Sequence, residues 1–460
     1  MNLVFYATCT NFGLIKFMYY QEISLHGLYI HVVSMNKKII VILIVVILVV
    51  GAAGAVLLGM NQDSKGKKTD NTNGRLMVYG NANNDDYLDN DDLKMIESVI
   101  KGDAKESDYP YSDANHDGEV NDDDIEFVKR MIKREAMTIH AVNGFGDTVD
   151  IKYPIKGCVV VGSNAMLAVH AIGGVTNGIV KGVTGESGKD KVLFSDVLDL
   201  PAISKKVTEA DYEAVSNIAG VTAVITQAST AYLKNEATFV AGGYDVFRIS
   251  SSDGDESTAV AITLGYLMGL EERAMEYAIF CDNILKKVTD YTKTLADSAK
   301  KTAMTITMTN YLGGHSSDYY EISLRAGANN VADWEETTRQ FNLDQDWLYD
   351  EKYDTDFLFH FRNISYDMSQ DDINQLWATY SIYFQNTECY KNGGYLVING
   401  YMPAILRMAY MAELMYPDHY NGYAAEQHQY YIDHFVDNLS EKNFKIADHV
   451  FVIDKNMVTA

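Results

Sequence analysis

Two twelve-residue acidic segments, thirty-two residues apart, constrain this chain more than anything else in it. The second runs from Asp113 to Asp124 and the first from Asn81 to Asp92. Each places oxygen-bearing side chains at positions 1, 3, 5, 9 and 12 and an apolar residue at position 8. A hard cation such as Ca²⁺ needs six to eight oxygens around a tightly turned backbone, which this spacing supplies. In the second segment the expected side-chain donors are Asp113, Asn115, Asp117, Asn121 and Asp124, with Glu119 offering its backbone carbonyl. In the first they are Asn81, Asn83, Asp85, Asp89 and Asp92, with the carbonyl of Tyr87. Gly118 permits a left-handed turn at position 6; Asp86 stands there in the first segment and tolerates that backbone region better than most residues. An apolar helical stripe follows each segment, Leu93-Ile96-Val99-Ile100 and Ile125-Val128-Met131-Ile132.

The short lead before the first segment leaves no room for a preceding helix. A loop followed by a helix, twice in about sixty residues, resembles the dockerin domain, down to the closing Asp92-Leu93 and Asp124-Ile125 pairs. That resemblance implies bound Ca²⁺ and a cohesin-domain partner. Asn90-Asp91 and Asp122-Asp123 stand where the family usually carries a Ser/Thr recognition pair.

At 460 residues the chain is long enough for several domains, and its net charge of −25 excludes a basic nucleic-acid-binding face. Four scattered cysteines, Cys9, Cys158, Cys281 and Cys389, form no close pair and read as small buried hydrophobes. Ile39 to Leu58 is an apolar run of the length that crosses a bilayer, and Lys37-Lys38 before it predict that all that follows lies outside the cell. A cleaved signal peptide is the competing reading, with Gly51 to Ala55 as the cleavage region. The expected order is an extension over 1–34, an anchor over 35–60, a polar tether over 61–75 and a calcium module over 76–136. An N-terminal lobe over 138–262, a connecting helix over 263–300 and a C-terminal lobe over 301–460 follow.

Beyond Arg134 short apolar runs alternate with helical stretches, which predicts parallel sheets flanked by helices. Strands are expected at 158–162, 179–183, 221–225 and 244–249, then one long helix over 260–300, and a second set at 302–308, 356–361 and 395–399. The fold class is therefore α/β, two Rossmann-like lobes joined by a long helix, behind a small all-α module and a transmembrane helix.

Six segments in order give this region a second resemblance. Thr148-Val149-Asp150-Ile151 leading to Cys158-Val159-Val160-Val161-Gly162 is the first, and Asp211 to Val215 leading to Ala223-Val224-Ile225 the second. Leu264 to Ala274, Leu324 to Val331, Tyr390 to Ile398 and Leu414 to Pro417 complete the set. Together they resemble the solute-binding proteins of ABC importers for iron-siderophore, haem or cobalamin. Gly157 replaces that family's usual basic residue, and Ala219-Gly220 its Pro-Asp pair. The resemblance implies a metal-chelate ligand, an ABC permease as partner, and Glu213 and Glu321 as candidate docking carboxylates.

Ligands of open parallel sheets sit beyond the carboxyl ends of the strands. That rule nominates Ser163, Asn164, Ser195, Gln227, Asn310, Tyr311, Arg362 and Tyr401. The helix starting near Ser163 offers free N–H groups to an anion, Arg362 a positive charge, and Tyr311 and Tyr401 flat surfaces. His170 and His360 read as core histidines. No GxSxG, HExxH, P-loop or GxGxxG signature appears, so no enzyme is expected. The alternative is a component of a polysaccharide-binding or degrading surface complex, to which scattered Trp334, Trp347 and Trp377 lend little support.

Overall fold

The computed structural model describes residues 75–185, 190–250, 254–307, 311–314, 317–332, 340–342 and 354–459. The chain divides between Asn71 and Thr72, and every described residue belongs to the second unit. The expected anchor, its tether, the 1–34 extension, Cys9, Asn310, Trp334 and Trp347 lie outside the described residues. Among the described residues no helix is long and apolar enough to cross a membrane.

Two helices open the unit, α1 (Asn90–Lys101) and α2 (Asp122–Ile132), each directly after one of the acidic segments. Asp89 and Asn121 cap them, and Asp92 and Asp124 complete reciprocal capping boxes. Ala82, Ile96, Ala114 and Val128 form a small core between them. The residues before the first segment are tied elsewhere: Val78 pairs with Ala141 on strand β1 (Met137–Val142), which forms a hairpin with β2 (Thr148–Tyr153).

The rest is two separate sheets. The first contains β3 (Cys158–Val161), β4 (Val180–Thr184), β5 (Ala202–Ser204), β6 (Ala223–Gln227) and β7 (Asp245–Ile249), all parallel in the order β5-β4-β3-β6-β7. Its strands are buried on both faces, and their period of two divides the residues cleanly. Val159, Val161 and Val224 join one core, and Cys158, Val160 and Ile225 the other. Helix α3 (Ser163–Ala171) follows β3 directly; α4 (Tyr212–Ser216) and α5 (Glu236–Ala241) are short.

The second sheet is mixed. Its parallel centre is β8 (Thr302–Thr307), β12 (Phe357–Arg362) and β13 (Tyr395–Asn399). Strands β9 (Tyr311–Gly313), β11 (Gln340–Asn342) and β14 (Val452–Ile453) add antiparallel edges, and the two-residue β10 (Asn329–Asn330) pairs with β8. Helix α8 (Asp318–Arg325) and, after β13, α11 (Ala404–Met415) pack on one face, while α9 (Gln370–Ser381) and α10 (Glu388–Lys391) lie on the other. Three helices close the chain, α12 (Pro417–Tyr420), α13 (Tyr423–Phe435) and α14 (Asp437–Ser440).

The single long helix expected over 260–300 is two helices, α6 (Gly254–Met268) and α7 (Glu271–Thr292). Gly269 at φ +71° ends α6, with Leu270 N–H returning to the carbonyl of Gly265. The chain turns back so tightly that a Cβ on Gly265 would stand 2.2 Å from that of Ala274. An uninterrupted apolar run conceals such a turn because both arms bury all their faces. Gly265→Val should therefore destabilise the protein by about 1–3 kcal/mol in urea unfolding through overpacking. An unchanged midpoint would show that the helices have room to separate.

Candidate functional site

The described residues offer two places with functional chemistry: the paired acidic loops, and a cavity between the two sheets.

The loops are built alike. The N–H groups of Asn83 and Asn115 donate to Asp92 Oδ1 and Asp124 Oδ1, at 3.2 and 3.1 Å. Those of Asp89 and Asn121 donate to the second oxygens of the same carboxylates, both at 2.8 Å. Asp85 and Asp117 N–H donate to the amide oxygens of Asn83 and Asn115, at 3.0 and 2.9 Å. Tyr87 and Glu119 N–H donate to Asp85 and Asp117 Oδ1, at 2.8 and 3.0 Å. These bonds turn the side-chain oxygens back onto the backbone N–H groups of each loop.

Burial pushes the Asp92 carboxyl up to about 7 and raises those of Asp85 and Asp124. Carboxyl groups held together without a positive charge among them behave in this way.

The loops differ where their sequences do. Gly118 takes the left-handed conformation at φ +96°, and its N–H donates to Asp113 Oδ2 at 2.9 Å. Asp86, at the same position of the first loop, does not adopt positive φ; the left-handed residue there is Asn84, as His116 is in the second. Asp86 instead turns outward to Arg75, at 2.6 Å, and Arg75 continues to Asp282 on α7 at 2.8 Å. Burial opposes the charge on Arg75, but its hydrogen bonds and the two carboxylates outweigh it and hold its pKa above the ordinary value. Asn81 is fully buried and spends both amide hydrogens on the carbonyls of Leu76 and Asp85, at 2.7 and 2.8 Å. In the second loop Asp113, Asn115, Asp117, Glu119, Asn121 and Asp124 are the residues that would hold a calcium ion; the first loop has the neutral Asn81 where the second has Asp113. Each loop counts three aspartates among its expected donors, yet among the described residues no three His, Cys, Asp or Glu side chains stand in a metal-holding group.

Between the sheets lies a narrow cavity of about 20 Å³. Asn164 and Ala168 of α3, Ser257 of α6, Tyr277 of α7, and Pro403, Ala404 and Arg407 at the start of α11 line it. A larger cavity of about 200 Å³ lies elsewhere, between Leu88, Met131 and Ile132 on the acidic-loop side and Ile262, Tyr266 and Met275 on the α6–α7 pair. Asp86, Tyr87 and Asp89 of the first acidic loop also line it, together with Arg134 and Glu271, which pair at 2.9 Å.

Of the nominated ligand residues, Asn164 reaches the inter-sheet cavity and Ser163 opens the helix beside it. The others are placed differently. Ser195 belongs to a strap between the lobes: its hydroxyl accepts from Asn438 Nδ2 and Lys442 Nζ, both at 2.9 Å. Asp190 in the same strap accepts from the N–H of Tyr366 at 2.6 Å, and Asp437 pairs with Arg273 at 2.9 Å. Tyr401 is buried edge-on against Phe194, centroids 5.9 Å apart. Arg362 donates to the hydroxyl of Tyr380 at 2.6 Å and stacks on its ring at 4.2 Å. Strand alternation is the reason, since Phe361 faces α11 and its neighbour therefore faces α9. The Gln227 side-chain oxygen is buried beside Gly162 without a hydrogen-bond partner. Tyr311 is on strand β9, between β11 and β8.

Both histidines are core residues: His170 pairs with Asp196 at 2.8 Å, and His360 with the Tyr395 hydroxyl at 2.8 Å. Cys158, Cys281 and Cys389 are buried free thiols, with burial raising the first and third to about 12. Trp377 is buried against Tyr395 and presents no platform for a sugar.

One residue with functional chemistry was not nominated from the sequence. Arg407 is 2% exposed, and among the described residues its guanidinium meets no carboxylate and donates no hydrogen bond; it lies over the rings of Tyr319 and Phe361. A lone arginine in the apolar run Ala404 to Met415 was the available signal.

No family profile matches this chain, and no curated protein does. Solved structures do. A TroA-like periplasmic binding protein from Veillonella parvula aligns with 68% of this chain and 99% of its own, at 14% identity and a TM-score of 0.52. The fold is that of the periplasmic solute-binding proteins. CeuE of Helicobacter pylori, in a nickel–histidine complex, aligns with 67% of this chain and 99% of its own, at 16% identity and a TM-score of 0.52. The molybdate periplasmic binding protein of a Haemophilus influenzae ABC transporter aligns with 65% and 98%, at 13% identity and a TM-score of 0.51. Each of the three leaves about a third of this chain without a counterpart.

The raised Asp92 carboxyl sets a pH dependence. Its proton stabilises the fold fully below about pH 4, and that contribution is lost as pH rises to about 7. A bound cation would take the proton's place, so the rise in melting temperature on adding Ca²⁺ should be larger at pH 8 than at pH 5. Equal rises, or none, would contradict this.

Proposed function

We propose that this chain is an extracytoplasmic solute receptor that captures a metal chelate of the siderophore, haem or cobalamin kind and passes it to an ABC permease. The observation that carries the reading is the meeting of two separate α/β sheets around a cavity at the start of α3 and α11, the place where such sheets bind ligands. The fold likeness to periplasmic solute-binding proteins supports it, and so do the nickel–histidine and molybdate complexes of two of the neighbours.

The strap through Asp190, Ser195, Asn438 and Asp437 gives the two lobes a contact that small hinge motions would make and break. Ca²⁺ in the acidic loops would bring the oxygens of each turn together and lock α1 and α2 in place. Exposed Asn90, Asp122 and Asp123 at the helix starts would then be the surface offered to a cohesin-domain protein. The apolar run Ile39 to Leu58 would tether the receptor to the membrane.

Isothermal titration of the protein with haem, cobalamin and a ferric siderophore tests the reading. Binding of one of them, near one per chain, is expected. Heat from none of the three would remove the chelate receptor.

A further inference from the structure

The larger cavity, about 200 Å³, lies between the acidic module and the α6–α7 pair. It is separate from the gap between the sheets, since no residue lines both. An apolar hole of about 150 Å³ already admits a benzene ring, so this one has room for a ring and a short chain. Most of its wall is apolar: Leu76, Leu88, Met131 and Ile132 from the module, and Ile262 and Met275 from the helix pair. The two methionines suit an aromatic guest, because a thioether sulfur packs favourably against a ring.

Tyr266 is the buried polar residue of this wall, at 6% exposure. Its ring stacks on that of Tyr153 with centroids 5.1 Å apart, and the two buried hydroxyls have no partner beyond each other. Two hydroxyls carry two hydrogens and four lone pairs, and one bond between them uses a single hydrogen and a single lone pair. The remaining capacity is cut off from water with nothing in the protein to meet it.

The charged part of the wall is unbalanced. Arg134 answers Glu271 at 2.9 Å, and Arg75 answers Asp86 at 2.6 Å. Asp89 has no cation of its own among the described residues. Its carboxylate caps α1 through Asp91 N–H at 2.7 Å, and Lys94 is spent on Asp91 at 2.7 Å. Tyr87 lines the cavity two residues before it and is 48% exposed. An unpaired carboxylate beside an aromatic face is the environment an organic ammonium takes.

We infer that this cavity binds a small aryl-alkyl ammonium whose ring carries a hydroxyl. The ring lies among the methionines and aliphatic side chains, the ring hydroxyl bonds with Tyr266, and the ammonium meets Asp89 beside Tyr87. The site is independent of the solute-receptor reading and stands or falls without it. Because its walls come from both the module and the α6–α7 pair, a guest also holds these two parts together.

The test is calorimetric titration of the full-length protein with four probes of one shape. These are tyramine, phenethylamine without the ring hydroxyl, tyrosol without the charge, and 4-hydroxyphenylacetate with the charge reversed. Tyramine should bind tightest, phenethylamine and tyrosol each roughly tenfold more weakly, and 4-hydroxyphenylacetate weakest of all. Tyr266→Phe should reduce tyramine affinity to about that of phenethylamine and leave phenethylamine unchanged. The ligand-free melting temperature of Tyr266→Phe should hold or rise, because the hydroxyl it removes was poorly satisfied. Asp89→Asn keeps a capping side chain on α1, as Asn121 does on α2; it should weaken tyramine roughly tenfold and leave tyrosol unchanged. Met275→Trp, which fills the space, should abolish binding of every probe. Equal affinities for the four probes would make the cavity an apolar hole without selective chemistry. Tyramine binding that survives Met275→Trp would place the amine elsewhere, and no heat from any probe would leave no such site. Each of these three results would overturn the inference.

Discussion

Burying a guanidinium without a counter-ion costs several kcal/mol, and a fold carries that cost only if the rest of it is built to hold the group in place. Arg407 is so held. Its helix follows the central strand β13, its guanidinium lies over the adjacent rings of Tyr319 and Phe361, and the start of α3 faces it from the other sheet. The separation of the protein into two sheets gives this charge its meaning. In one continuous sheet the two helix starts would lie side by side; in two sheets they converge across a gap.

The acidic loops follow the opposite logic. There carboxylates and amides are crowded by backbone hydrogen bonds, and burial raises the carboxyl groups of Asp85, Asp92 and Asp124. The first loop differs from the second in Asn81, which spends its amide hydrogens on backbone carbonyls, and in Asp86, which meets Arg75, itself fixed to Asp282 on α7. The loops are thus not an appendage on a string. The residues just before the first loop pair with β1, and Met77 N–H donates to Thr263 on α6 at 3.1 Å. Any change in the first loop is felt by the helices that run between the lobes.

Most strands were legible in the sequence because buried parallel strands are short apolar runs, as Cys158 to Val161 and Tyr395 to Asn399 are. The three-residue β5 escaped, having too little pattern to distinguish it from a turn. The break between α6 and α7 escaped because Gly265 and Gly269 sit in an apolar stretch whose two arms are each buried. The helices that follow the acidic loops were legible, since the bonds from Asn83 to Asp92 and from Asn115 to Asp124 span only nine positions; that Asn84 and not Asp86 takes the left-handed turn was not. Within the candidate ligand site, Asn164 followed from the strand-end rule. Arg362 was misplaced by the one-residue alternation of a strand, which no composition argument settles. Arg407 and Arg75 depend on neighbours far away in sequence, and Arg75 meets Asp282 across 207 positions. Such pairings come from tertiary packing and leave no local trace.

A solute receptor of two lobes would grip a single ligand with both lobes at once. Amide hydrogen exchange, comparing the free protein with the same protein saturated with its solute, tests that most directly. The first turns of α3 and α11 should slow together on binding, while α1 and α2 respond to Ca²⁺ and not to the solute. Protection confined to one of those two helix starts, or appearing around the larger cavity beside Met131 and Tyr266, would contradict it.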